Sequence, residues 1–185
     1  MAERPDILKG LQGKPPYLFH PRAFDHPGPI VSLGAHGWHY VRPFIGHKTI
    51  VGVDPCPVTK VPDGCTLVRC AVAPFNRPGA QGPLLERFDV AYLAKTIRIA
   101  ELRERHGRDW AALKVNIEGS ELIELIMLAE PIADQMTVAF HDRGTGDLIT
   151  RTARDGVMAH LDTWYDRAQI SETNDWWFFL RRERA

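Results

Sequence analysis

Hydrophobic and polar positions along this chain fall into two rhythms. Short, continuous apolar runs bounded by Gly, Pro, Asn or Asp predict buried strands, and longer stretches with a recurring apolar face predict helices. The runs PIVSLG (Pro29 to Gly34), TIVGVDP (Thr49 to Pro55) and CTLVRCAVA (Cys65 to Ala73) predict the first three strands. AALKVNI and DQMTVAFH (Asp134 to His141) predict two more, with an extended segment in FDVAYLAKTI. Between them, GWHYVRPFIG predicts one or two helical turns ended by Pro43. RIAELRERHG predicts an amphipathic helix closed by Gly107, and SELIELIMLAEP one with Ser120 as N-cap and Pro131 beyond its end. TGDLITRTARDGVMAHLDTWY predicts a helix broken or weakened at Gly156. The final stretch RAQISETNDWWFFLRR predicts two strands about the turn residues Thr173, Asn174 and Asp175.

Strands alternating with helices call for one α/β domain, a mainly parallel sheet with helices on both faces. The closing hairpin is expected to add antiparallel edge strands. Residues 1–28, rich in Pro and aromatics and without periodicity, are expected to form an irregular arm, leaving residues 29–185 as the domain proper.

Composition narrows the function classes. Of 185 residues, 44% are hydrophobic and 25% charged, ordinary values for a globular chain. Lys plus Arg equals Asp plus Glu at 23 each, so no net field draws the chain to nucleic acid or anionic membrane. No apolar run approaches the roughly 18–20 residues that span a bilayer, and MAERPDILKG lacks a signal-peptide core. A cytoplasmic location is expected. Cys56, Cys65 and Cys70 match neither a zinc knuckle nor a CxxC pair and are expected as reduced thiols.

The most informative stretch is LKVNIEGSELIEL, Leu113 to Leu125. As a strand it sets Leu113, Val115 and Ile117 on one face and Lys114, Asn116 and Glu118 on the other. Buried charge costs several kcal/mol unless paired, so Lys114 and Glu118 need partners, in the simplest case each other. Gly119 permits the turn into the helix.

In open α/β sheets, ligands bind beyond the carboxyl ends of the strands, where strand order reverses. The loop SLGAHGWHY follows the first strand; Gly34 and Gly37 let its backbone approach a ligand. Its G-x-x-G spacing lacks the glycines that seat a pyrophosphate, which disfavours a nicotinamide-dependent oxidoreductase. Asp54 ends the second strand 20 residues after Gly34, about the separation at which an acid accepts from ribose hydroxyls; the alternative is a turn cap before Pro55. His141, at a strand end, is a candidate general base or else a hydrogen-bonded core-rim histidine. His36 and His39 form an H-x-x-H pair, but two ligands make no site, so no metal is expected. The contiguous aromatics of NDWWFFL read as edge-strand core or, where exposed, as a homodimer contact.

These residues carry a family resemblance. LKVNIEGSE resembles the L-K-[IV]-D-[IV]-E-G-[AS]-E motif of the FkbM-type methyltransferases, which use S-adenosylmethionine. VSLGAHGWHY is similar to their first-strand loop, VGVDPCP to their E-P-x-P element, and QMTVAFHD to their later strand ending in E-F-H. The likeness runs from about Val31 to His141. It implies a Rossmann-like, doubly wound fold, S-adenosyl-L-methionine as cofactor, and methyl transfer to a hydroxyl oxygen of a small-molecule or sugar acceptor. By that analogy Ser32, Gly34, Ala35 and Gly37 line the methionine side, Asp54 holds the ribose, and Asn116, Glu118 and His141 edge the reaction centre.

Departures from the motif matter chemically. Ser32 and Asn116 stand where the family has Asp, Asp54 where it has Glu, and Ala139 where it has Glu before Phe-His; the glycine loop is one residue shorter. The cofactor presents a positive ammonium and sulfonium, and a charge-assisted hydrogen bond to each is worth ~1.5–3 kcal/mol. Loss of two acids motivates the alternative of a catalytically inactive, methyltransferase-like binding or scaffolding domain.

Overall fold

A computed structural model describes residues 5–56, 60–72, 96–117, 120–140, 148–171 and 175–183. In chain order the strands are β1 (Gln12–Lys14), β2 (Tyr17–Phe19), β3 (Ile30–Leu33), β4 (Ile50–Val53), β5 (Cys65–Val68), β6 (Ala71–Val72) and β7 (Thr96–Ile97). After α1 (Ile99–His106) come β8 (Ala112–Val115), α2 (Glu121–Ile126), β9 (Gln135–Ala139), α3 (Leu148–Leu161), β10 (Tyr165–Ser171) and β11 (Trp176–Arg181). Seven strands form one sheet in the order β10-β11-β9-β8-β3-β4-β5. From β5 to β9 every pairing is parallel, which is the mainly parallel α/β sheet that alternating strands and helices demand.

Starting from β3, the chain first moves outward through β4 to β5, then returns to the other side of β3 through β8 and β9. Strand order therefore reverses between β3 and β8, and in open α/β sheets the carboxyl ends at such a reversal are where ligands bind. The expected antiparallel edge strands need correcting. β11 pairs antiparallel with both β9 and β10, so it lies inside the sheet, while β10 is the edge and runs with the parallel set. The reason is visible in Trp176, Trp177, Phe178 and Phe179, all buried. Four successive apolar residues point to both faces, and both are covered: Trp177 and Phe179 join the helix-side core, Phe178 packs with Ile7, and Trp176 meets Tyr17 edge-on.

The two faces are covered by different means. Val31, Leu33, Val51, Val53, Leu113, Val115, Met136 and Val138 pack against Leu102 of α1, Leu125 of α2 and Met158 and Leu161 of α3. On the opposite face Ile30, Ile50 and Ala112 meet Phe19, Ala23, Trp38, Tyr40 and Phe44. Those residues come from β2, the 3-10 turns Pro21–Phe24 and Arg42–Phe44, and the loop between β3 and β4. The expectation of helices on both faces thus fails among the described residues: the α-helices line one face, and the arm with short turns lines the other. Phe19, Phe24 and Phe44 stack edge-on or tilted at 4.8–5.9 Å, and burying a phenylalanine contributes about 1.5–3 kcal/mol without any helical periodicity.

Local corrections have similarly simple causes. The predicted strand Cys65 to Ala73 divides into β5 and β6, because the Cys70 N–H turns back to the Val68 carbonyl at 3.0 Å; Ala73 is outside the described residues. α3 continues unbroken through Gly156, where a side chain would meet open space. Ser120 sits at the N-cap of α2 in helical conformation and makes no capping bond with its side chain. No helix among the described residues is long and apolar enough to cross a membrane.

One buried hydroxyl ties the sheet edge to the core. Tyr165 accepts from the Ile132 and Ala133 N–H groups at 3.1 and 3.3 Å and donates to the Ala133 carbonyl at 2.9 Å. Burial pushes its phenol up to about 12. Tyr165→Phe strands those buried backbone groups and should cost about 1–3 kcal/mol in urea unfolding with an unchanged denaturant slope.

Candidate functional site

The carboxyl ends of β5, β4, β3 and β8 are stitched in sequence across the sheet. The Asp54 N–H donates to the Val68 carbonyl, the Gly34 and Ala35 N–H groups both donate to the Val53 carbonyl, and the Asn116 N–H donates to the Leu33 carbonyl. Gly34 has φ of 75°. A Cβ there would stand 3.1 Å from the Asn116 carbonyl carbon and closer still to its oxygen. Glycine is required on both counts. The same loop turns Trp38 over β4, where Gly52 leaves room for its ring: a Cβ on Gly52 would come within 2.8 Å of the Trp38 ring and Ala35.

Lys114 lies beneath this loop and is only 4% exposed. Its ammonium donates to the Leu33 carbonyl at 3.1 Å and the Gly34 carbonyl at 2.6 Å. Two strand-end carbonyls thereby offset part of the cost of a buried charge. Ser32 is the cross-strand neighbour of both Gly52 and Lys114 and is buried within β3 rather than at its end.

Asp54 follows β4 and is also 4% exposed. Its Oδ1 accepts the Cys56 N–H at 2.8 Å, an Asx turn that bends the chain at Pro55. The turn-cap role is therefore present. His36, Asp54 and Cys56 converge so that one donor atom from each lies within 4.8 Å of the others. His39 goes elsewhere: its ring stacks on Tyr17 at 5.8 Å, and a Cβ on Gly37 would strike it. The two histidines of H-x-x-H are thus divided between different neighbours.

Of the residues singled out by sequence, Gly34, Ala35, Asp54 and Asn116 meet at this rim through the bonds described. Gly37 borders His39, and Ser32 lies deeper. Glu118 and His141 fall outside the described residues. The Asn116 Oδ1 is buried and makes no hydrogen bond among the described residues.

Three groups escaped the sequence reading. Cys56 was set aside with the other thiols because spacing gave it no cysteine partner. Glu121, the last letter of the LKVNIEGSE stretch, is buried and accepts the Ile117 N–H at 3.2 Å, closing the turn into α2. Glu124 is buried and its Oε2 accepts the Ile99 N–H at 3.0 Å, fastening α1 to α2. The signal was available in two acids inside an otherwise apolar helix.

Burial raises the Glu124 carboxyl above its usual range, against the lowering effect of the Ile99 N–H and Arg98. A carboxyl raised on folding favours the folded state most at pH below the unfolded value and loses that contribution as pH climbs through the folded one. Glu124→Gln should therefore gain thermal stability relative to the parent as pH rises from the acid range to neutrality, by about 1 kcal/mol. A difference in Tm that stays flat with pH would reject this.

The chain matches no protein-family model, and no curated protein matches it.

Proposed function

We propose that the chain is an FkbM-type methyltransferase that binds S-adenosyl-L-methionine at the β3–β4–β8 rim and methylates a hydroxyl of a small molecule or sugar. The observation that carries this reading is the buried Asp54 carboxylate. It follows β4, beside the Gly34 loop and one strand from the β3–β8 reversal of strand order, near which open α/β sheets receive ligands. One of its oxygens holds the turn, and an ionised carboxylate offers roughly four lone-pair sites in all, so a ribose hydroxyl can share the group with its existing partners. Gly34 lets the loop close onto the Asn116 carbonyl, which joins β3 to β8 at the same rim.

The cofactor, when bound, would supply a sulfonium methyl that an acceptor oxygen displaces, the carbon–sulfur bond breaking with its electrons left on sulfur as the carbon–oxygen bond forms. The acceptor's proton goes to a base, a role assigned on sequence to His141 with Glu118 orienting it. Alignment and exclusion of water supply most of the acceleration in such a displacement. Calorimetric titration with S-adenosylhomocysteine is the direct test: a single saturable site supports the reading, and no heat at millimolar ligand defeats it.

A specific observation favours the second reading, a domain that keeps the fold without the chemistry. The Lys114 ammonium lies against the Gly34 carbonyl, while Ser32 and Asn116 are neutral. A cationic cofactor would meet that charge without the two acids. Asn116→Asp should tighten S-adenosylmethionine binding about 10-fold or more, the worth of one charge-assisted bond. Unchanged affinity would show that position 116 does not face the cofactor's charge.

A further inference from the structure

We propose that His36, Asp54 and Cys56 form a binding site for one zinc-class divalent ion at the carboxyl rim. An imidazole, a carboxylate and a thiol come together there, one donor atom of each within 4.8 Å of the others. Tetrahedral zinc with bonds of about 2.0–2.3 Å needs ligand atoms roughly 3.3–3.7 Å apart. The adjustment is about an ångström, and it falls on side chains at the surface: His36 is exposed and Cys56 half-buried.

The frame beneath those side chains is fixed. The Asx turn fastens Cys56 to Asp54, and the loop leading to His36 is tied to the end of β4 by two N–H groups on the Val53 carbonyl. Asp54 ligates while still accepting the Cys56 N–H, since an ionised carboxylate has lone pairs for both. Donor chemistry selects the ion. Thiolate and imidazole favour zinc-like metals, whereas magnesium and calcium require oxygen ligands. Thiolate and carboxylate together neutralise a dication. Three protein ligands leave a fourth position open, the arrangement of reactive rather than purely structural zinc.

The site goes beyond the cofactor reading and shares Asp54 with it, so ion and nucleoside exclude one another at that carboxylate. Cobalt(II) is the probe, titrated into the full chain after chelator treatment and dialysis. The expected result is one equivalent bound, with a thiolate-to-cobalt charge-transfer band and the visible absorption of a four-coordinate centre, both displaced by zinc. Cys56→Ser should abolish the charge-transfer band, Cys65→Ser and Cys70→Ser should retain it, and His36→Ala should weaken binding about tenfold or more. Absence of a sulfur band, or one that survives Cys56→Ser, overturns the proposal. S-adenosylhomocysteine titrated into the same metal-free protein reports on Asp54 independently of Cys56, so either site can fail without the other.

Discussion

Gly34→Ala is expected to lower unfolding free energy by about 2–5 kcal/mol and to remove nucleoside binding. Two terms add. An alanine held at φ near 75° pays roughly 1–2 kcal/mol for the left-handed region. Its methyl would also press on the Asn116 carbonyl, a backbone group fixed by its own N–H bond to Leu33, and overpacking of that kind costs about 1–3 kcal/mol. For a chain of 185 residues the loss corresponds to a fall in Tm of about 5–15 °C. Gly64→Ala separates the terms. Gly64 has φ of 77° but nothing within 4 Å of a Cβ, so it should show the conformational cost alone. If Gly34→Ala is no worse than Gly64→Ala, the close approach of the β3 loop to β8 is wrong, and the rim loses its shape.

That contact between loop and neighbouring strand was only half legible in the sequence. Gly34 announced a tight turn, but its partner Asn116 lies 82 positions further on, and periodicity carries no information about which strand lies beside which. The strands themselves were legible because buried parallel strands are uninterrupted apolar runs, as in Ile50 to Val53. The arm was not. Phe19 of the short β2 and Ala23 and Phe44 of two 3-10 turns cover a sheet face with a spacing that shows no helical or strand period. The aromatic run at Trp176 to Phe179 held the clue to a strand covered on both faces, since successive side chains point to opposite faces and all four are buried. In the site, Lys114 was recognisable as needing a partner; its acceptors include backbone carbonyls, which a sequence of side chains does not advertise. His36 was paired in sequence with the wrong histidine because convergence with Asp54 and Cys56 is a property of the turn after β4.

Asp54 is the residue whose substitution should matter most to ligand binding, and two variants separate its roles. Asp54→Asn keeps an Oδ1 able to accept the Cys56 N–H, so the Asx turn persists and Tm should move little. It removes the charge, and with it the strengthening of any bond from a ribose hydroxyl. Affinity for S-adenosylhomocysteine should fall about 10–100-fold, the equivalent of about 1.4–2.7 kcal/mol. Asp54→Ala removes both functions. It should lose detectable binding and give up about 0.5–1.5 kcal/mol of stability through the unmade turn bond. The order of effects carries the diagnosis. A carboxylate that only shapes the chain before Pro55 would leave the asparagine variant binding as tightly as the parent, and the calorimetric curves of the two would superimpose. A carboxylate that holds the nucleoside makes asparagine weak while the fold stands, because a neutral amide reproduces the geometry of the turn without the field that draws two hydroxyl protons to one side chain.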